Sequence, residues 1–327
     1  MRTGSQSGKI SSRLVVTSFT LNIVEGYLGA SSATTLNYAR DNGNKILING
    51  SVRTIPAAGY SRVFNESLID ATGADTGAGT VADTFYHAYV SNGLATFSPD
   101  SLRLSSTAPT LVDGVNYLGA AGNALNWIHI GWVFTNATNR FDTQEYAGPP
   151  YAAGSFDANF HIMNRYNRRL INVLSYPSYT DDSANNFFTT AASAVIVGIN
   201  NGNGDNFSII SNGEDETEMG YSVLCQATTT RTTPCLVGLG WGTSAANSRT
   251  FMEAPQVIRF GETDLQSASD TRKVLLPLGR NLVSLNVMGN NDAVLMSWYG
   301  NSARFGNSYN GTAMDILCTS LIGRVRG

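Results

Sequence analysis

Short hydrophobic runs recur along the chain, and residues that favour turns separate them. Residues 127–135 (WIHIGWVFT) form a continuous apolar run of strand length, which predicts a buried strand. Residues 84–90 (TFYHAYV) form an aromatic strand candidate, and Asn92 and Gly93 turn the chain back into residues 94–97. Two further segments, 13–24 and 102–105, also have strand character. The N-terminal half is therefore predicted to be rich in β-structure.

The clearest hairpin signal lies in residues 37–55. A first turn is predicted at residues 41–44 (DNGN), followed by a strand at 45–48. Asn49-Gly50 is a dipeptide favoured in type I′ turns, and it leads into a strand at 51–55. Pro56 then ends that strand, because proline has no N–H to donate to a neighbouring strand.

Residues 160–173 (FHIMNRYNRRLINV) are the best helix candidate, since they contain few helix breakers. Beyond them, short strand candidates alternate with Gly- and Asn-rich turns, a spacing typical of a sandwich or jelly roll. These candidates are residues 194–199, 207–210, 221–227, 233–238, 256–259, 272–276, 281–287, 293–298 and 316–323.

The predicted fold class is mainly β. Residues 1–30 are expected to form an N-terminal arm with a first strand that docks on a partner. Residues 31–172 are expected to form a β-rich attachment domain with one possible helix. Residues 173–327 are expected to form an antiparallel β-sandwich, or jelly-roll-like domain, that is exposed as a head.

Composition supports a globular chain that packs against other subunits. Charged residues make up 14% of the 327 residues, against a usual share of about 25%. Few charges mean weak like-charge repulsion between copies. The net charge of −3 gives no basic stripe, so no nucleic-acid partner is expected. Residues 1–12 lack a signal-peptide core and no apolar run reaches about 18 residues, so no membrane insertion is expected.

Three cysteines occur at positions 225, 235 and 318. Cys225 and Cys235 flank a Thr-rich stretch and could form a cross-strand disulfide. Buried thiols are the favoured interpretation, because the odd count implies no disulfide framework.

Motifs for chemistry are sparse. His87, His129 and His161 are the only histidines, and no zinc, nucleotide-binding or hydrolase motif appears. We therefore assign no catalytic, cofactor-binding or metal-ligating residue. An acidic cluster, with three interpretations, consists of Glu214, Asp215, Glu216 and Glu218. It could be a solvated turn, a calcium site or a glycan-hydrolysing carboxylate pair, and the solvated turn is favoured.

Aromatic residues near turns offer another route to function. Trp241, Trp298, Tyr299 and Tyr309 are candidate contacts for glycans or protein partners, because aromatic faces stack on sugars and anchor interfaces. The alternative is that they pack in the core or along a trimer axis.

Five segments resemble proteins of tailed bacteriophages, three of them proteins encoded among the structural genes. Residues 84–97 resemble an aromatic hairpin of that group, and residues 131–136 (GWVFTN) resemble a strand ending in "GMVYTN". Upstream, residues 45–56 (KILINGSVRTIP) resemble the stretch that precedes this pair. Residues 276–281 (LPLGRN) and 296–301 (MSWYGN) resemble β-sandwich domains that end phage fibres and spikes.

The resemblance implies a non-enzymatic virion protein: a compact fibre or spike on the capsid or tail, assembled in the cytoplasm of the bacterial host. Its expected partners are two further copies of itself, other virion proteins and a host-surface glycan. Capsid decoration without receptor binding is an alternative in the same class. A glycan depolymerase that uses Glu214, Glu216 or Glu218 is the alternative in another class.

Overall fold

The computed structural model describes residues 23–91, 102–141, 143–144, 159–175, 186–189, 197–198, 206–227, 234–242, 250–258, 265–288, 296–299 and 320–326. Across these ranges β-strands predominate, and the helical element is a 3₁₀ turn at Gly122–Asn126. The predicted fold class, mainly β, is confirmed. No helix in the described ranges is long and apolar enough to cross a membrane.

The strands up to residue 134 form three sheets. They are β1 (Gly26–Ser32), β2 (Thr35–Arg40), β3 (Lys45–Ile48), β4 (Ser51–Thr54), β5 (Tyr60–Val63), β6 (Phe85–Ser91), β7 (Leu102–Ser105), β8 (Thr110–Val112), β9 (Val115–Tyr117) and β10 (Trp127–Phe134). One sheet has the order β1-β2-β5, a second has the order β7-β6-β10-β9-β8, and β3 pairs with β4.

The remaining strands are shared between the second of those sheets and two new ones. They are β11 (Thr143–Gln144), β12 (Asn159–Phe160), β13 (Ile162–Asn164), β14 (Leu170–Ser175), β15 (Asn186–Thr189), β16 (Val197–Gly198), β17 (Asn206–Ser211), β18 (Glu216–Ala227), β19 (Cys235–Gly242), β20 (Thr250–Phe251), β21 (Gln256–Ile258), β22 (Leu265–Leu275), β23 (Gly279–Met288), β24 (Met296–Tyr299) and β25 (Ser320–Arg326). β13 pairs with β10, while the others form the two C-terminal sheets.

The N-terminal sheets enclose a first hydrophobic core. Strands β1, β2, β3, β5, β6, β7, β9, β10 and β13 each contribute buried side chains to it, because alternate residues of a strand point to the same face. Its centre includes Leu28, Leu36, Ile46, Val90 and Ile128, which have no exposed surface. Burial of such side chains stabilises the fold by about 1.5–3 kcal/mol each.

The C-terminal sheets enclose a second core. One sheet runs β14-β25-β18-β24-β15, with β22 also on β18, and the other runs β11-β12-β17-β23-β19-β20, with β16 and β21 attached. Their pairs are antiparallel except for β12 with β17. Buried residues from both sheets meet between them, including Met219, Val223, Cys235, Val237 and Val283. This is the sandwich that the turn spacing predicts. The division of the chain at residues 172 and 173 stays a prediction; that point falls within β14.

We call the sheets around the first core the first unit and the two C-terminal sheets the second unit. In the first unit β6 pairs with β10 at the centre of its sheet, and all eight residues of β10 are buried. A β-bulge shifts the register between His129 and Gly131. A Cβ atom added at Gly131 would approach the Met163 carbonyl oxygen to 2.2 Å. Glycine is therefore required there by the close approach of β13.

The predicted Asn49-Gly50 hairpin is confirmed. β3 and β4 pair as expected, and Asn49 and Gly50 have φ angles of 46° and 74°, the left-handed values of a type I′ turn. The turn predicted at residues 41–44 is not a hairpin turn. It joins β2 to β3, which lie in different sheets, because β2 already has β1 and β5 as its two neighbours.

The predicted helix at residues 160–173 is wrong. The chain forms β12, β13 and β14 there, with a turn between β13 and β14 in which Asn167 has φ 48°. Residues 160–164 are all buried, which a helix with one apolar face could not achieve. Asn164 is held in the first unit by its side chain, which accepts from Leu28 N–H at 2.6 Å and donates to Leu28 C=O at 2.8 Å. Tertiary packing on both sides therefore overrides local helix preference.

Each strand candidate of the C-terminal half overlaps an observed strand, with β18 and β22 longer than predicted. The strand at 102–105 is also confirmed as β7, and 127–135 as β10. Short strands such as β5, β8 and β9 were not predicted, since their runs are only three or four residues long. Most of the strand predicted at 13–24 and the strand at 94–97 lie outside the described residues.

We predict that Gly131→Ala lowers the free energy of unfolding by about 3 kcal/mol, because the new methyl group forces β10 away from β13. Gly29→Ala, in β1, is the matched control: its nearest contacts would be 3.8–4.0 Å, so we expect a change within about 0.5 kcal/mol. Urea unfolding of the two variants measures the difference. Equal stabilities would contradict the close packing of β13 on β10.

Candidate binding surfaces

The acidic cluster begins in a tight turn between β17 and β18. Asn212 Oδ1 accepts hydrogen bonds from the backbone N–H groups of Glu214 and Asp215 at 2.9 and 3.0 Å. Gly213, with φ 76°, provides the left-handed residue that the turn needs. The local sequence Asn-Gly-Glu-Asp thus folds as a turn stabilised by its own side chain.

Basic residues surround the acidic cluster. Asp215 forms an ion pair with Arg168 and accepts a hydrogen bond from Asn212 Nδ2 at 2.8 Å. Glu218 lies 4.0 Å from Arg324 Nη1. An open groove with a volume of about 320 Å³ runs beside the cluster, and Lys273 lines it together with the four acidic residues. Two of the four carboxylates, those of Asp215 and Glu218, therefore lie beside arginines.

Glu216 and Glu218 lie on one face of β18, because residues two apart in a strand point the same way. Their backbone positions are about 7 Å apart along the strand, and the carboxyl groups of glycosidase pairs lie about 5–9.5 Å apart. Glu216 and Glu214 are exposed, and both face the open groove. Within the described residues, no group of three or more His, Cys, Asp or Glu side chains could hold a metal ion.

Among the four aromatic candidates, Trp241 is the residue whose side chain the structure describes. Trp298 and Tyr299 belong to β24, where their backbones pair with Cys225 and Leu224 of β18. Their side chains, and all of Tyr309, lie outside what the structure describes. Trp298 and Tyr299 lie in one C-terminal sheet, on β24, whereas Trp241 lies in the other, on β19.

Trp241 lies at one end of the C-terminal sandwich, packed against the second core and partly exposed. Its indole Nε1 donates to Asn281 Oδ1 at 2.7 Å. Asn281 is 1% exposed, and its Nδ2 donates to the carbonyl oxygens of Pro277 and Gly279 at 2.9 Å each. One buried amide therefore fixes both the tryptophan ring and the adjoining turn, a role that the sequence did not reveal.

A groove of about 320 Å³ opens beside Trp241. Its walls come from β19, from the loop after β20, and from the end of β22 with the residues that follow it. The lining includes Trp241, Met252, Glu253, Lys273, Leu275 and Pro277. We call this feature the Trp241 groove.

His87 and His129 form a buried pair on the face of the β6–β10 sheet that points away from the first core. His87 Nδ1 lies 3.4 Å from His129 Nε2, and the His129 ring packs edge-on against Trp132. Burial lowers the pKa of His87 to about 4, and burial together with the nearby His87 lowers that of His129 far below its usual value. Both rings are therefore neutral packing groups at neutral pH, as their position in predicted strands suggested.

His161 lies at a junction between the two units. Its Nε2 is 2.8 Å from Ser208 Oγ, and Arg280 Nε donates to the same hydroxyl oxygen at 3.0 Å. The Arg280 guanidinium also lies 4.9 Å from the centre of the Phe134 ring. Burial, reinforced by the charge of Arg280, lowers the pKa of His161 to about 3. This cluster of residues from β10, β17, β23 and the β12–β13 connection was not predicted, because no local sequence signal joins them.

We predict that stability falls as the pH is lowered from about 6.5 towards 4. The three histidines have folded-state pKa values below the ordinary 6.5, so the unfolded chain binds protons that the folded chain does not. The contribution of the neutral histidines to the free energy of unfolding is complete above about pH 6.5 and is lost as the pH falls towards their folded-state pKa values. Each histidine adds about 1.4 kcal/mol per pH unit to the slope once the unfolded form is protonated. Urea titrations between pH 7 and 5 should give a smaller slope for His87→Gln, whereas identical slopes would contradict the buried neutral ring.

We predict that Asp215→Asn lowers the free energy of unfolding by about 1 kcal/mol, because Arg168 then lacks its partly buried carboxylate partner. Glu214→Gln is the matched control in the same turn, and a change within about 0.5 kcal/mol is expected there. Thermal melts of both variants provide the measurement. A larger loss for Glu214→Gln would show that the exposed carboxylate has a structural role that the contacts do not explain.

No family model matches the chain, and no curated protein matches it. Solved structures similar to it include that of the infectious bursal disease virus Gx strain, at 11% identity and a TM-score of 0.28, covering 93% of this chain and 71% of that one. Another is a mutant VP2 protein of infectious bursal disease virus from T=1 particles. It has 11% identity and a TM-score of 0.15, and the match covers 92% of this chain and 76% of that one. Likenesses this low carry no argument about fold or function.

Proposed function

We propose that this chain is a structural subunit of a tailed-bacteriophage virion, a short fibre or spike-like protein on the capsid or tail. The observation that carries the proposal is the β6–β10 pair. The segments that resemble phage structural proteins, residues 84–97 and 131–136, meet on these adjacent strands, where Gly131–Phe134 pair with Phe85–Ala88. The resemblance thus falls on one packed unit at the centre of a sheet.

The use of reactive side chains supports a structural role. The histidines pack among aromatic rings, and Asp215 and Glu218 lie against arginines. Buried polar groups such as Asn164 and Asn281 bind backbone groups and fix the positions of strands and turns. In this proposal these side chains serve packing, and the protein catalyses no reaction of its own.

Self-association is supported by one face of the β14-β25-β18-β22 sheet. Leu170 and Ile322, on β14 and β25, are 62% and 44% exposed and point outward with Glu218 and Arg324. Exposed aliphatic side chains beside charges of both signs are suited to burial against another copy. We propose a homotrimer, since cyclic closure limits assembly to a finite number of copies.

The proposal places the protein on the virion, after assembly in the cytoplasm of the bacterial host, with other virion proteins as partners. The C-terminal sandwich would be the exposed head, and it would bind host-surface glycan. Capsid decoration without a receptor remains the alternative within this class. Tight binding to capsids, together with a lack of binding to host cells, would favour decoration.

A glycan depolymerase is the competing proposal, because Glu216 and Glu218 share one face of β18. In that proposal the protein cleaves a host polysaccharide, and the cleavage activity is lost in Glu216→Gln or Glu218→Gln. Asp113→Asn, at an exposed carboxylate in the turn between β8 and β9, is the matched control. Cleavage that depends on Glu216 and Glu218 would overturn the non-enzymatic proposal.

We predict a concentration-independent mass of three times 34.9 kDa by light scattering. Ile322→Lys should reduce that mass, because it places a charge in the proposed interface. Val257→Lys, at a 53% exposed position on the other sheet, should leave the mass unchanged. A monomeric parent at all concentrations would contradict the trimer. A trimer that only Val257→Lys dissociates would place the interface on the other sheet.

A further inference from the structure

The Trp241 groove has a preorganised aromatic wall. The indole N–H is already bonded to Asn281, which is itself buried and bonded to the turn at Pro277–Gly279. The ring therefore has a fixed orientation, and a ligand that stacks on its exposed part need not order it. Preorganisation of this kind favours binding, because it removes the entropy cost of fixing the side chain.

The rest of the groove combines apolar and charged groups. Met252, Leu275 and Pro277 provide apolar surface, while Glu253 and Lys273 are both exposed at the rim. Glu253 is oriented by its ion pair with Arg272, which also binds Asp270 at 2.6 Å. The rim thus offers an oriented hydrogen-bond acceptor and an ammonium donor.

The volume of about 320 Å³ lies at the lower end of the range of about 300–1,000 Å³ for small-molecule sites. A ligand of this size must present an apolar face to Trp241 and polar groups to Glu253 and Lys273. A pyranose ring has this character, with C–H groups on its faces and hydroxyl groups at its edge. A purely aliphatic ligand would leave the charged rim unused, and a polyanion would meet the acidic residues nearby and the net charge of −3.

We propose that the Trp241 groove binds one or two pyranose units of a glycan, with Trp241 stacking on a C–H face and Glu253 and Lys273 binding hydroxyl groups. This inference rests on the proposed function, and it names the site through which the head would bind host-surface glycan. Ile322 of the proposed self-association surface lies on β25, and β18 separates that strand from β22, so the two strands are about 10 Å apart. Lys273 on β22 lines both the Trp241 groove and the groove beside Leu170, Glu218 and Arg324, so the two surfaces adjoin each other at this residue.

The test is fluorine NMR of the full chain labelled with 5-fluorotryptophan. The chain has four tryptophans, and Trp241→Phe assigns the Trp241 signal. The probes are methyl glucoside, methyl galactoside, methyl mannoside and N-acetylglucosamine, each titrated to about 100 mM, since single sugars bind at millimolar concentration. Isopropanol serves as the apolar probe. We expect at least one sugar to shift the Trp241 signal saturably.

Two variants keep the proposal falsifiable if Trp241→Phe folds poorly. Glu253→Gln and Lys273→Met should each weaken binding of the sugar about tenfold or more, the loss expected for one hydrogen bond to a charged group. Glu214→Gln and Lys45→Met make the same chemical changes outside the groove and should leave the affinity unchanged. Equal affinity in all four variants would overturn the assigned contacts.

Absence of a shift with every sugar would overturn the saccharide site. A shift with isopropanol alone would overturn it in favour of an apolar partner. Light scattering on the same samples separates the two proposals, because a trimer that binds no sugar leaves the structural role standing and removes only the groove's ligand.

Discussion

Residues 159–175 connect the two hydrophobic cores, and the arrangement of the whole chain depends on this constraint. Phe160 packs in the second core, and Ile162, two residues later, packs in the first. β14 then returns the chain to the second unit by pairing with β25. The successive strands β12, β13 and β14 thus belong to the second unit, the first unit and again the second unit. The relative positions of the two units are therefore fixed by a few peptide bonds rather than by a long linker.

Polar groups reinforce that connection. The amide oxygen and nitrogen of Asn164 bind the backbone N–H and C=O of Leu28. These hydrogen bonds replace those that a neighbouring strand would otherwise make with Leu28. On the opposite side, the Ser208 hydroxyl is shared by His161 and Arg280. Buried polar groups stabilise a fold only when their hydrogen bonds are made, and here they join elements that are far apart in sequence. Asn164 thus holds the connecting segment to the first unit, and His161, with Ser208 and Arg280, holds it to the second.

Local patterns in the sequence predicted what depends on local physics. Asn49-Gly50 gave the correct turn because its left-handed backbone angles suit these two residue types. The apolar run at 127–135 gave a buried strand, although its uninterrupted hydrophobicity could not indicate the bulge at Gly131. The helix at 160–173 failed because residues on both sides of the segment are buried by partners distant in sequence. Of the residues that form the Trp241 groove, the sequence indicated Trp241 alone. Asn281, Glu253 and Lys273 are distant from it in sequence and come close to it only in the folded sheets.

The position of β25 has a consequence for the synthesis of the protein. This strand lies between β14 and β18, both of which leave the ribosome about a hundred or more residues earlier. Until residues 320–326 have been translated, β14 and β18 lack the neighbour that joins them, and their inner faces remain without part of the second core. The nascent chain must therefore hold exposed strand edges for the time that translation of this interval takes, which is about 5–20 s or longer at 5–20 residues per second. A cell that produces many copies at once would need chaperones to keep these unfinished sheets from pairing with one another.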